Sequence, residues 1–99
     1  MKLLLSDSAY DDLAAIKEYY EIEGVPDIGA NLVSEIVVHI QVLRDNPDIG
    51  RVVPEFEKEN IRELIHPPFR IVYLRERDAI HVIRVWRSER LLVLPDDEV

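Results

Sequence analysis

The chain has 99 residues, no cysteine and a formal net charge of −8 at pH 7. Its length allows one domain with one core, the absence of cysteine excludes disulfides and thiolate metal sites, and its acidity argues against a general nucleic-acid binder. The apolar runs are too short to span a bilayer, and residues 1–6 are not expected to act as a signal peptide. We therefore expect a single cytoplasmic domain over residues 1–99.

The charge is unevenly distributed along the sequence. Residues 1–60 carry thirteen acidic residues against five Lys and Arg, whereas residues 61–90 carry seven Arg against four acids. Residues 91–99 add three acids and no base. A cationic segment on an anionic body suggests a functional surface, but strands on a solvated face often carry arginine, so both interpretations stay open.

The first elements are predicted to be a strand and two helices. Residues 2–5 suit a short strand, and Ser6 or Asp7 is the expected helix N-cap. The spacing of four, three and four residues predicts an amphipathic helix whose acidic residues form a solvated face; its apolar stripe is Ala9, Leu13, Ile16 and Tyr20. Gly24 suits the end of this helix. A second helix is expected from residues 26–27 to about Asp45, which makes an antiparallel helical hairpin.

The second half of the chain is predicted to be a three-stranded meander. Residues 46–60 are rich in Pro, Gly, Asp and Glu and are expected to be a connector. Strands are expected over residues 61–65, 69–74 and 79–86, separated by a proline turn and a polar turn. A meander needs a cover for its apolar face, so the fold class is α+β. We expect a four-stranded, mostly antiparallel sheet with the helical hairpin on one face.

Four segments in this order resemble the RelE/ParE superfamily of type II toxin–antitoxin toxins, and its ParE-like branch in particular. They are residues 46–51 (NPDIGR), 61–64 (IREL), 69–73 (FRIVY) and 83–87 (IRVWR). The resemblance implies a growth-inhibiting toxin, associated with plasmid stabilisation, that is held inactive by a cognate ParD-like or similar antitoxin. It leaves open a homodimer or a hetero-oligomer with the antitoxin.

The resemblance implies two different targets. ParE-like toxins act on DNA gyrase by binding, whereas RelE-like toxins are ribosome-dependent mRNA endonucleases. Cleavage through the 2′-hydroxyl needs a base, an acid and a cation for the phosphorane. Arg70 matches the sheet arginine of the RelE-like enzymes, but Ser88 and Glu89 stand where their catalytic acid or base would fall. This favours gyrase inhibition without catalysis, and a non-toxic, antitoxin-binding relative is a third alternative.

Several arginines are candidate functional residues. If the chain is a ribonuclease, the resemblance points to Arg70, Arg84 and Arg62. For target binding the candidates are Arg62, Arg70, Arg84, Arg87, Arg90 and Trp86. We expect the guanidinium groups to gather on the sheet face that the helices leave uncovered. The structural alternative for Arg70 is an ion pair with Glu63, and Trp86 could equally be a core residue.

The end of the chain predicts a partner contact, and the histidines predict no metal site. An apolar segment near the terminus suits pairing with another chain, so we expect antitoxin contacts at Leu91, Leu92, Val93 and Leu94. The three histidines are scattered in the sequence without metal-ligand spacing, and no metal or other cofactor is predicted. His39 and His66 are expected to be structural.

Overall fold

The computed structural model describes residues 1–88. Arg90, the apolar residues 91–94 and the acidic tail predicted to follow them lie outside the described residues. No helix within residues 1–88 is both long and apolar enough to cross a membrane.

Two helices follow the first strand, β1 (Lys2–Leu5). Helix α1 (Asp7–Ile22) begins as predicted, because the Ser6 hydroxyl accepts a hydrogen bond from the amide of Ala9 at 3.1 Å and satisfies one of the free N–H groups of the first turn. Gly24 follows the helix with φ +84°, a left-handed conformation that favours glycine. The chain can therefore reverse within a few residues.

Helix α2 (Pro26–Gln41) begins with proline in its first turn, where the missing N–H costs nothing. A short 3₁₀ helix (Val42–Arg44) extends it, so the predicted end near Asp45 is confirmed. The apolar faces of α1 and α2 converge on one cluster that contains Ile16, Ile36 and Ile40. On the side of α1, the hairpin is thus held by the stripe that the sequence spacing predicted.

The sheet has five strands, one more than expected, in the order β1-β5-β4-β3-β2. The last four are β2 (Arg51–Val52), β3 (Ile61–His66), β4 (Phe69–Arg75) and β5 (Ala79–Arg87). Strand β1 is parallel to β5, and the other neighbours are antiparallel. Sequence analysis missed β2 because two residues within a Pro- and acid-rich segment leave no readable alternation. Strand β5 lies between β1 and β4, and a sequence that is apolar on both faces suits this central position.

The two faces of the sheet carry different side chains. Phe69, Ile71 and Tyr73 of β4 face the helices and join the main core. The opposite side, called the outer face below, carries Glu63, Arg70 and Val72, which are also buried. The helices leave this face uncovered, as predicted, but its central part, which includes Arg70, is buried rather than open to solvent.

A β-bulge lies at the middle of β5. Val72 pairs with Arg84 and the next residue, Tyr73, pairs with Val82, so Ile83 has no partner on β4. The extra residue shifts the alternation of β5 by one position. As a result Arg84 and Trp86 align with Val72 and Arg70, while Val85 aligns with Ile71 in the core.

Candidate functional site

Arg70 sits in a four-residue ion-pair cluster on the outer face. Its Nε donates to Oε1 of Glu63 at 2.5 Å, and its two Nη atoms donate to the two carboxylate oxygens of Glu55 at 3.0 Å each. The second oxygen of Glu63 accepts from Nε of Arg51 at 2.5 Å. Two guanidinium groups and two carboxylates therefore alternate, and the pairing of Arg70 with Glu63 that we considered as the structural alternative is observed.

Burial makes this cluster a structural feature. The side chain of Glu63 is fully buried and that of Arg70 is 5% exposed. Burial alone would lower the pKa of Arg70, but its hydrogen bonds to Glu55 and Glu63, together with their negative charges, outweigh burial and raise the pKa. The hydrogen bond from Arg70 lowers the pKa of Glu55. Every charge in the cluster is matched, and the Arg70 guanidinium is committed to protein carboxylates.

Arg84 is held by the first helix. Its Nε and Nη2 donate to the carboxylate of Asp12 at 2.8 and 3.0 Å, and the hydrogen bond with Asp12 raises the pKa of Arg84. The guanidinium carbon also lies 4.7 Å from the centre of the Trp86 ring, within range of a cation–π contact. Asp12 further accepts the backbone N–H of Val85 at 2.8 Å, so one carboxylate fixes the end of β5.

Asp12 was missed by sequence analysis, which placed it on the solvated face of α1. Its side chain is 15% exposed. The signal was available: Asp12 lies three residues after Ala9 and four before Ile16, which puts it on the buried stripe of the helix. An acid on an apolar stripe needs a partner, and the bulge in β5 brings Arg84 within reach.

Arg62 does not share a surface with Arg70. It pairs across the sheet with Tyr73, whose ring belongs to the helix-side core. Its guanidinium donates to the backbone oxygens of Glu59 at 3.0 Å and Gly50 at 2.9 Å. Neighbouring positions on a strand alternate between the two faces, so Arg62 lies on the opposite face from Arg70 and Arg84. Its hydrogen bonds to Glu59 and Gly50 support the connector. The three arginines do not form one cationic surface.

Tyr73 explains the glycine of the NPDIGR segment. The buried hydroxyl of Tyr73 donates to the carbonyl of Pro47 and accepts from the amide of Gly50, both at 2.9 Å, and burial raises its pKa. A Cβ at Gly50 would lie 2.6 Å from both this hydroxyl and the carbonyl of Glu63. Residue 50 therefore has to be glycine for the connector to dock on β3 and β4.

A cleft of about 390 Å³ lies between α1 and the end of β5 and is called the α1–β5 cleft below. Its walls are mainly apolar, and Asp12 and Arg87 add charge at the same site. The residues that supply the apolar walls are Ala15, Ile16, Tyr19, Phe69, Val85 and Trp86. Arg87 is exposed, and its guanidinium carbon lies 5.5 Å from the centre of the Phe69 ring. Of the predicted target-binding residues, Trp86 and Arg87 lie together at this cleft.

The histidines meet partners that the sequence did not suggest. Nδ1 of His39 lies 2.9 Å from Nδ1 of His66, and burial together with the nearby His66 lowers the pKa of His39. Nε2 of His81 lies 3.1 Å from a carboxylate oxygen of Glu76 across the β4–β5 turn. Two of the three histidines thus form one pair between α2 and β3.

The sequence matches the family of ParE toxins of type II toxin–antitoxin systems over residues 3–92. The chain belongs to the ParE toxin family. The fold agrees with a chain of the chromosomal ParDE toxin–antitoxin system of Pseudomonas aeruginosa, with a TM-score of 0.75 and 26% identity over 88% of this chain and 95% of that one. No curated protein sequence matches it.

Two solved structures from Helicobacter pylori share the fold of this ParE-family chain. One is a copper-bound mutant toxin, with a TM-score of 0.56 and 22% identity over 92% of this chain and 98% of that one. The other is a conserved hypothetical protein, with a TM-score of 0.55 and 20% identity over 90% and 96% of the two chains. At these identities the likeness establishes the fold alone. The predicted resemblance to ParE-like toxins is confirmed by the family match.

Proposed function

We propose that this ParE-family toxin inhibits DNA gyrase by binding to it, and that a cognate ParD-like antitoxin neutralises it in the cytoplasm. The proposal has two parts, a mode of action without catalysis and adjoining surfaces for the two partners, which share Trp86 and Arg87.

The observation that carries the first part is the commitment of Arg70. A ribonuclease of this fold would need that guanidinium to stabilise negative charge on the phosphorane. Here its Nε and both Nη atoms donate to Glu63 and Glu55. A phosphate could engage Arg70 only by displacing the buried Glu63 or the partly exposed Glu55, and either exchange would break an ion pair that already satisfies the guanidinium. Binding to gyrase needs no such displacement.

We assign target contact to the end of β5. Arg87 is exposed beside Phe69, and Arg84 presents its 37% exposed side chain next to the ring of Trp86. Aromatic and arginine side chains commonly dominate the energetics of protein interfaces. Arg62 and Arg70 are assigned to support of the connector, and Arg90 stays a predicted contact outside the described residues.

We assign antitoxin docking to the α1–β5 cleft. Its apolar walls suit an amphipathic segment of a partner chain, and Tyr19 beside them is 54% exposed. Because residues 1–60 carry an excess of eight negative charges, we expect basic residues in the antitoxin segment. The predicted contacts at residues 91–94, which follow β5, stay part of the same proposal.

The direct test is a gyrase supercoiling assay with purified toxin. We expect the wild-type chain to block supercoiling and to leave cleaved DNA. Arg87→Ala should raise the toxin concentration needed by about tenfold, the effect of losing about 1.4 kcal/mol of binding free energy. Arg77→Ala is the matched control, because Arg77 is also exposed but lies in the β4–β5 turn at the other end of β5, and it should inhibit like the wild type.

The two alternatives, a ribonuclease and a non-toxic relative, predict different results in these experiments. Gyrase that works normally at a large excess of toxin, together with transcripts cut at codons, would replace the proposal with ribonuclease activity. Normal growth when the toxin is expressed without its antitoxin would instead indicate a non-toxic relative.

A further inference from the structure

A hydrogen-bonded pair of histidines joins the end of α2 to the end of β3 and has no part in the proposed function. His39 lies in the last turn of α2, and His66 is the last residue of β3. Their Nδ1 atoms are 2.9 Å apart, and the ring centres are 5.1 Å apart. Both residues are half-buried, so each ring is partly desolvated but can still exchange protons with solvent.

The short distance between the two nitrogens limits how many protons the pair can hold. A separation of 2.9 Å is that of a hydrogen bond, so one Nδ1 carries a hydrogen and the other offers its lone pair. Two neutral rings meet this condition, whichever of them is the donor, and so do one neutral ring and one protonated ring. Two protonated rings do not, because each Nδ1 then carries a hydrogen and no acceptor remains.

The charged groups near the pair do not relieve this conflict. On α2, the carboxylate of Glu35 lies 4.0 Å from Nε2 of His66, but its side chain is 67% exposed and solvent screens its charge. On β5, Arg87 lies beyond Phe69, which pairs with His66 on one side and with Arg87 on the other. Its positive charge does not favour a further cation. Two protonated rings in contact would therefore repel each other without a compensating carboxylate at hydrogen-bond distance.

We propose that the His39–His66 hydrogen bond is a pH-sensitive contact, which holds the end of α2 on β3 at neutral pH and breaks when both rings are protonated. Burial and the neighbouring His66 lower the pKa of His39 below its ordinary value of 6.5, as expected if the folded pair resists a second proton. A basic group whose pKa is lowered by folding stabilises the fold above its unfolded pKa. This contribution is lost as the pH falls from that value towards the folded pKa.

The contact controls one corner of the fold. Pro67 and Pro68 form the turn that leads from His66 into β4. Double protonation would therefore loosen the last turn of α2 from the β3–β4 turn. The contact does not depend on gyrase or on the antitoxin, and either proposal can fail without the other.

Urea denaturation of the full-length chain at pH 7.5 and pH 5.5 tests the coupling to folding. We expect this acidification to raise the unfolding equilibrium constant of the wild type at least about threefold more than that of His39→Gln or His66→Gln. A glutamine amide can keep a hydrogen bond across the contact but takes up no proton. His81→Gln is the matched control, since His81 lies beside the carboxylate of Glu76 rather than a second imidazole, and it should retain the full acid response of the wild type.

Nuclear magnetic resonance of the wild-type chain, labelled with 15N at histidine, gives a readout that needs no substitution. A scalar coupling between the two Nδ1 nuclei, transmitted through the shared hydrogen, should be present at pH 7.5. It should disappear on acidification through the histidine range, while circular dichroism shows that the chain is still folded. The ring of His39 should also take up its proton at a higher pH in His66→Gln than in the wild type.

Three results would overturn the proposal. The first is the absence of the coupling at pH 7.5, and the second is a coupling that persists after both rings have titrated. The third is an equal acid response of the wild type and both folded histidine variants, which would show that the pair does not link protonation to folding.

Discussion

At the scale of single residues, the two charged side chains that are buried among residues 1–88 explain the outer face. Glu63 and Arg70 lie in the middle of the sheet, where an isolated charge would be costly. They pair with each other, and each has one further partner of opposite charge. Glu63 also pairs with Arg51 of β2, and Arg70 also pairs with Glu55 of the connector. Because of this pairing, Arg70, which was expected to bind phosphate, stabilises the sheet instead.

Removing the charge of Glu63 should destabilise the fold strongly. Glu63→Gln leaves Arg70 with one carboxylate and Arg51 with none, so we expect the free energy of unfolding to fall by about 3 kcal/mol. Urea denaturation measures it. Glu59→Gln, in the exposed connector, should change the value by less than about 0.5 kcal/mol, and equal effects of the two substitutions would contradict the structural role of the cluster.

At the scale of elements, α1 and the second half of β5 border the α1–β5 cleft. Strand β1 pairs with β5 only as far as Val82. Beyond that point, side chains of α1 take its place: Ser6, the N-cap, donates to the carbonyl of Ile83, and Asp12 accepts from Val85. The cleft exists because a helix, rather than a strand, borders the second half of β5.

Filling the α1–β5 cleft should separate toxin from antitoxin. Ala15 lines the cleft, whereas its exposed neighbour Ala14 does not. The same substitution can therefore be made inside and outside the proposed docking site. We expect Ala15→Arg to weaken antitoxin binding by at least tenfold, because a long cation would occupy apolar space. Ala14→Arg should bind normally. Surface plasmon resonance with the cognate antitoxin measures both, and equal affinities would exclude the cleft as the docking site.

Predictability also differs between elements. The apolar spacing of α1 and the alternation of residues 69–74 are properties of short segments, so the sequence predicted both elements and their inner faces. Strand β2 and the bulge at Ile83 depend on pairing with distant residues. The bulge determines that Arg84 lies on the same face as Arg70. No local sequence pattern predicts the bulge.

At the scale of the whole molecule, low pH should weaken the contact by which the connector (residues 46–60) packs on the outer face. Glu55 brings the connector onto Arg70 through two hydrogen bonds, and the hydrogen bond from Arg70 holds its pKa below the ordinary value of 4.5. A carboxyl group with a lowered pKa in the folded state stabilises the fold above its unfolded pKa, and this contribution is lost as the pH falls through the folded pKa.

We therefore expect the free energy of unfolding to decrease as the pH falls below about 4.5, where the unfolded chain takes up more protons than the folded one. Glu55→Gln should flatten this decrease, whereas Glu18→Gln, an exposed substitution on α1, should leave the slope unchanged. Denaturation curves measured from pH 6 to pH 3 give the slopes. A Glu55→Gln slope equal to that of the wild type would show that the Glu55–Arg70 contact does not couple to folding.

The sequence by itself determined the order of the elements, the helical hairpin, the inner face of the sheet and membership of the ParE-like branch. These follow from spacing along the chain, because a helix repeats every 3.6 residues and a strand every two. Only the tertiary structure decided that Arg70 and Arg84 are held by Glu63, Glu55 and Asp12, and that His39 meets His66. Hydrogen bonds and ion pairs form only when the two groups are a few ångströms apart, and such distances between residues far apart in sequence exist only after the chain has folded.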